Sequence, residues 1–408
     1  MRSLPLVLLA LAECRGYSVL THEAIIDSAW ESNLRPMLVK RFPDATPEEI
    51  KKAHAYLYGG ALVQDMGYVP LSSKEFSNLA HYVRAGDFVT TLLEQATALN
   101  DYAFALGTLA HYASDSGGHP TINRITPLVY SKLRRKFGDV VTYEDDPAGH
   151  LKTEFALDVI QVSRGLYAPD AYHDFIGFEV AQAALERAFE TTYGIPMKDL
   201  FKSEDLAIGT YRFAVGKLIP EMSRVAWTSK REDIEKLSPG IVRSRFVYAF
   251  PRAQYRKEWD SKYRTPGKGA RFLAFLFRLI PAFGPFKALG FQPVPPRGEQ
   301  MFLRSFDETV ERYKKLLGQA ASGTLRLSEV NLDTGAQSRP GAYKLADSTY
   351  FFLVDRLARD HFQNVSPGLK ADIIRYFAGR GGARIPARTQ MQLQQLENAP
   401  SRADSGLE

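Results

Sequence analysis

The sequence predicts an all-α protein, on three observations. Apolar residues recur at helical spacing through Phe88–Leu99 and Tyr102–Ser114. Thr46-Pro47-Glu48-Glu49 joins the capping hydroxyl, first-turn proline and third-position acid of a helix start. Segments that alternate apolar and polar residues, the mark of half-buried strands, are scarce. With 408 residues, 45% of them hydrophobic, the chain has material for a large core, which excludes a wholly disordered protein. A net charge of +6 favours polyanionic partners such as phospholipid headgroups or nucleic acid.

Taken from the start, Met1 and Arg2 precede the apolar run Leu4–Ala12. That run is too short for a membrane span of roughly 20 residues and fits an export signal over residues 1–16. Cleavage after Gly16 begins the mature chain at Tyr17 and removes the single cysteine, Cys14. Leu11-Ala12-Glu13-Cys14 also resembles a lipoprotein acylation box, with Glu13 a poor fit; on either reading no internal disulfide forms. The expected location is secreted or periplasmic, with or without attachment to a membrane.

Residues 17–245 read as one continuous helical domain, broken at Asn100-Asp101 and by a longer loop at Tyr143–Gly149. A basic and aromatic segment, 246–298, follows. Arg252, Arg256, Lys257, Lys262, Arg264, Lys268 and Arg271 lead into Phe272-Leu273-Ala274-Phe275-Leu276-Phe277 and an apolar run reaching Phe291. Such a segment suits a phospholipid surface; an interior hairpin with a solvated basic flank is the competing reading. Residues 299–386 form a helical C-terminal portion, and the polar tail 387–408 is expected to be disordered.

Six of the eight histidines (His22, His54, His81, His111, His119, His150) lie in the first 150 residues. His111 and Asp115 are four apart, as are Asp115 and His119, and His150 and Glu154 repeat the interval, which on a helix stacks side chains on one face. Imidazole nitrogen and carboxylate oxygen held one turn apart can converge on zinc without distorting the backbone. Chance must be weighed against this: with 46 acids, a given histidine has roughly a one in nine probability of an acid four residues later, so single pairs also read as surface contacts. The context tips the balance. The helix carrying His111 and Asp115 is expected to end near Ser116, where Gly117-Gly118 release it and leave His119 in a loop. His22 stands close behind the expected mature N-terminus, whose amine can bind metal once deprotonated. Asp65, between Gly59-Gly60 and Gly67, suits an ordered turn near a helix end, and His81 suits either a core or a ligand position. His54, His173 and His361 read as structural or exposed.

The set Thr21-His22, Asp65, His81, His111-x-x-x-Asp115, His119 and His150-x-x-x-Glu154 resembles the zinc-dependent phospholipase C family over Tyr17–Tyr193. That family shares its fold with the zinc phospholipase domain of glycosylphosphatidylinositol-specific phospholipase D and, distantly, with fungal single-strand nucleases. The resemblance implies a multi-helix phospholipase C-like domain that binds up to three Zn2+: one at the Tyr17 amine and carbonyl, His22 and Asp115; one at Asp65, His81, His111 and the bridging Asp115; one at His119, His150 and Glu154. Tyr17 replaces the tryptophan usual in bacterial members, and the short Asp115 to His119 interval is more like the phospholipase D branch. The implied reaction is hydrolysis of a phosphodiester, most readily a phospholipid cleaved to diacylglycerol and a phosphorylated headgroup, with Asp65 orienting the attacking water or accepting its proton. Two alternatives stay open: a single-strand nucleic-acid phosphodiesterase with the same metals, and a metal-binding membrane-surface protein without turnover.

Overall fold

The computed structural model describes residues 19–163, 178–215, 291–379 and 385–400, with isolated positions between 227 and 243. The export signal expected at 1–16, Tyr17, His173 and residues 246–290 of the basic and aromatic segment lie outside the described residues. Among the described residues the regular structure is helical, as expected, and the one β feature is an isolated bridge between Val330 and Gln337. No described helix is long and apolar enough to cross a membrane.

The chain opens with α1 (Val19–Ala29), which passes through a π turn at Trp30–Leu34 into α2 (Arg35–Arg41). Next comes α3 (Pro47–Val63), which starts as the sequence predicts. Thr46 Oγ1 accepts from the Glu49 amide at 3.3 Å and Glu49 Oε2 accepts from the Thr46 amide at 2.8 Å, so two amides without helical partners satisfy each other's side chains. After α4 (Lys74–Tyr82) and α5 (Ala85–Gln95) comes α6 (Leu99–Val129), the 31-residue axis of the molecule. Every residue from Tyr102 to Ser116 is buried, the polar His111 and Asp115 included, because other helices surround this mostly apolar or small-residue stretch.

Two glycines set how closely α3 lies against α6. A Cβ on Gly60 would sit 1.9 Å from the Phe104 carbonyl oxygen, and one on Gly107 would sit 2.1 Å from that of Leu57. Only hydrogen at these positions lets the backbones meet. Then follow α7 (Ser131–Phe137), α8 (Pro147–Ser163), α9 (Gln182–Tyr193) and α10 (Glu204–Phe213).

The C-terminal portion packs onto this body. α11 (Pro296–Ala321) runs along α6, with the Tyr313 hydroxyl donating to the Leu106 carbonyl at 2.8 Å. α12 (Lys344–Arg359) contacts α4, and Tyr350 stacks at 3.5 Å on Tyr376 of α13 (Pro367–Ala378). Phe291, the end of the apolar run, is buried with its ring 5.6 Å from that of Phe155.

Three expectations are corrected. The break before α6 falls at residues 96–98, and Asn100-Asp101 lie in its first turn, where Asp101 faces the positive end of the helix. α6 also does not stop at Gly117-Gly118 but runs through Pro120 to Val129, so His119 is a helical residue. Packing overrides the local signal here. Gly117 lies against Thr309 of α11, and the Ser116 carbonyl, which Pro120 cannot satisfy, is closely approached by Gly335, whose φ is +66°. Finally, Ala387–Asn398 of the expected disordered tail form a helix, α14, with Leu396 buried. Arg388 pairs with Asp355 of α12, and Lys370 donates to the Glu397 and Ala399 carbonyls.

Candidate metal centre

Five elements bring eight polar side chains to one buried place. α1 supplies His22, the turn after α3 supplies Asp65, α4 supplies His81, α6 supplies His111, Asp115 and His119, and α8 supplies His150 and Glu154. None is more than 3% exposed. Histidines and acids are almost never buried in such numbers unless they bind one another or a cation.

Local structure aims the rings. His81 Nδ1 lies 2.7 Å from the Ser77 carbonyl and His111 Nδ1 lies 2.8 Å from the Ala61 carbonyl. A carbonyl only accepts, so each Nδ1 carries a proton, and once the ring is neutral its Nε2 turns a lone pair inward. The Ala61 contact exists because α3 and α6 meet at Gly60 and Gly107.

Asp115 sits at the middle. Its Oδ1 is 3.3 Å from His22 Nε2 and 3.6 Å from His119 Nε2, and its Oδ2 is 3.0 Å from His111 Nε2 and 3.4 Å from His81 Nε2. His81 Nε2 is 3.4 Å from both Asp65 Oδ1 and His111 Nε2. Across the site His150 Nε2 is 2.7 Å from Glu154 Oε1, which is 3.9 Å from His119 Nε2. The donor atoms fall into three groups, His22/His111/Asp115, Asp65/His81/His111 and His119/His150/Glu154, each with its atoms within 4.8 Å of one another. A tetrahedral zinc ion with bonds of about 2 Å separates its ligands by roughly 3.3 Å, close to most of these spacings.

The hydrogen-bond inventory agrees. Neither oxygen of Asp115, nor Asp65 Oδ1, nor His119 Nε2 has a well-formed hydrogen bond, although all are sealed from solvent. Leaving buried carboxylate oxygens unsatisfied is costly, and a divalent cation satisfies several at once. A mixed set of imidazole and carboxylate suits zinc. The residues present therefore fit the metal.

Burial opposes every charge here, and neighbouring groups decide which charges survive it. Burial lowers His22 below the usual imidazole range, and burial raises Glu154 well above the usual carboxylate range. Burial also pulls His81 down, but the Asp115 and Asp65 carboxylates beside it outweigh burial and raise the ring to about 10. His119 is raised to about 9, burial being outweighed by the Asp115 charge and by Asp333. Asp115, despite burial, is held well below the carboxylate range by His111 and His119.

Of the nine residues the sequence singles out as metal-ligating, eight converge here, and Tyr17 lies outside the described residues. His54 is elsewhere: its Nε2 is 3.1 Å from Asp27 and its ring stacks at 4.0 Å on Trp30, a structural role. His361 is exposed. Sequence reasoning misses Asp333, a fully buried carboxylate 3.2 Å from His119 Nδ1. Its neighbours Asn331-Leu332-Asp333-Thr334-Gly335 carry only the signature of a turn.

Compared with known proteins, the chain matches the family model described as zinc dependent phospholipase C over residues 21–203, a span that contains all eight converging residues. No curated protein and no solved structure matches significantly.

Proposed function

Since residues 21–203 match the zinc dependent phospholipase C family model, we propose that the chain is a phosphodiester hydrolase that cleaves phospholipid to diacylglycerol and a phosphorylated headgroup. The observation that carries this reading is the trio of buried donor groups around Asp115. Zinc held there supplies Lewis acidity, lowering the pKa of water and balancing the negative charge that builds on phosphate oxygens.

The protein's own groups divide the work. Asp115 and the imidazoles of His22, His81, His111, His119 and His150, with Glu154, would hold the ions. Asp65, which completes the second donor group with its Oδ1 3.4 Å from His81 Nε2, would in addition orient the attacking water and take its proton. The water oxygen bonds to phosphorus, the bond from phosphorus to the glycerol oxygen breaks, and the leaving alkoxide takes up a proton.

Export through residues 1–16 and surface contact through 246–290 belong to the same proposal: a basic, aromatic segment suits an enzyme whose substrate lies in a bilayer. The test is hydrolysis of phosphatidylcholine vesicles and of single-stranded DNA by one purified sample, before and after chelation. Chelator-sensitive lipid cleavage supports the proposal. Cleavage of DNA alone moves the chain to a nuclease role, and no cleavage of either contradicts it.

A further inference from the structure

Resting on that zinc reading, we propose that Asp333 is a positioning residue for the His119/His150/Glu154 group, so that the C-terminal portion, beyond the family-matched residues, completes the metal centre. The imidazoles of His81 and His111 are aimed by carbonyls from inside residues 21–203. His119 differs. The partner of its Nδ1 is Asp333 Oδ1 at 3.2 Å, brought in by the turn between α11 and α12.

That turn is fastened on every side. The Leu332 amide donates to the His81 carbonyl at 3.0 Å, Asn123 Nδ2 donates to the Asp333 carbonyl at 2.8 Å, and the Asp333 amide donates to Asn331 Oδ1 at 2.9 Å. Asp333 Oδ2 accepts from the hydroxyls of Tyr82 at 2.7 Å and Tyr343 at 2.5 Å. With Oδ2 taken by two phenols, Oδ1 is the oxygen directed at the imidazole. A carboxylate can only accept, so it fixes the proton on His119 Nδ1 and leaves the Nε2 lone pair facing His150 and Glu154. The added negative charge also makes that nitrogen a stronger donor to a cation.

A purely structural Asp333, present only to satisfy two buried tyrosines, would act on folding and on all bound metal alike. The two roles therefore separate in a metal count. The zinc-loaded full-length chain is equilibrated with increasing concentrations of a chelator, the ions retained per chain are counted, and the thermal midpoint of the metal-free chain is measured alongside. Asp333→Asn is expected to hold one ion about 10–100-fold more weakly while the others keep their wild-type affinity. Tyr343→Phe, which keeps the carboxylate but releases one of its anchors, should weaken the same ion by less. Wild-type retention of every ion by Asp333→Asn overturns the inference, as does a uniform loss of all ions that follows the thermal midpoint. Should Asp333→Asn not fold, Tyr343→Phe decides: selective weakening of one ion supports the role, and unchanged retention overturns it. A wild-type chain that holds no zinc overturns the zinc reading itself, and this inference with it.

Discussion

Four imidazoles converge on Asp115, whose two oxygens face different groups of ligands: His22 and His119 on one side, His111 and His81 on the other. A side chain shared in this way should be the least replaceable in the centre. Asp115→Asn keeps the volume and removes the charge; it is expected to lose about two zinc ions per chain. Hydrolysis should fall by more than the ~100-fold that loss of an outer-sphere partner can cost. Full zinc content in this variant would refute the bridging role. The raised rings of His81, at about 10, and His119, at about 9, give a second expectation. Both hold protons at neutral pH in the bare protein, whereas a ligand imidazole must be neutral at the coordinating nitrogen. Zinc uptake should therefore release protons, and its apparent affinity should rise with pH until those values are passed. Titration calorimetry in buffers of different ionisation enthalpy reads this directly; heats that do not depend on the buffer would contradict it. At this scale the sequence is informative where a ligand set is local. His111, Asp115 and His119 share a helix at four-residue spacing, and so do His150 and Glu154. Asp333 is invisible because tertiary contacts alone bring it to His119.

The helices place those residues through backbone packing more than through propensity. Alanine is a better helix former than glycine by about 1 kcal/mol, so on propensity alone Gly107→Ala should stabilise α6. A Cβ there, however, would press on the Leu57 carbonyl oxygen at 2.1 Å, backbone against backbone. Gly107→Ala is therefore expected to destabilise the metal-free chain by about 1–3 kcal/mol and to weaken zinc binding, since the same contact sets the Ala61 carbonyl against His111. A higher melting temperature for the variant would refute this. The start of α3 is legible because its capping box is built from neighbours in sequence. The run of α6 past Gly117-Gly118 and Pro120 is not, because α11 and Gly335 stabilise it from far along the chain. The same holds for α14: its composition suggests disorder, yet Arg388 and Gln392 reach Asp355 on α12 and Leu396 is buried.

In the whole molecule, the helical body that carries the ligands and the C-terminal helices that cover it form one packed structure around α6. The all-α class follows from period and caps, whereas the covering of α6 by α11 and of α4 by α12 does not, since nothing in a helical pattern names its partner. The basic and aromatic segment is tested at this scale. Phe275→Asp combined with Phe277→Asp is expected to reduce flotation of the chain with anionic phospholipid vesicles while leaving zinc content unchanged. Equal flotation by a folded variant would remove the segment from the membrane-contact proposal. The central claim, that the buried imidazoles and carboxylates form a zinc centre, is tested most directly by elemental analysis of the purified full-length chain. Close to three zinc ions per chain is the expected result; a chain that takes up no zinc when the metal is offered would contradict it.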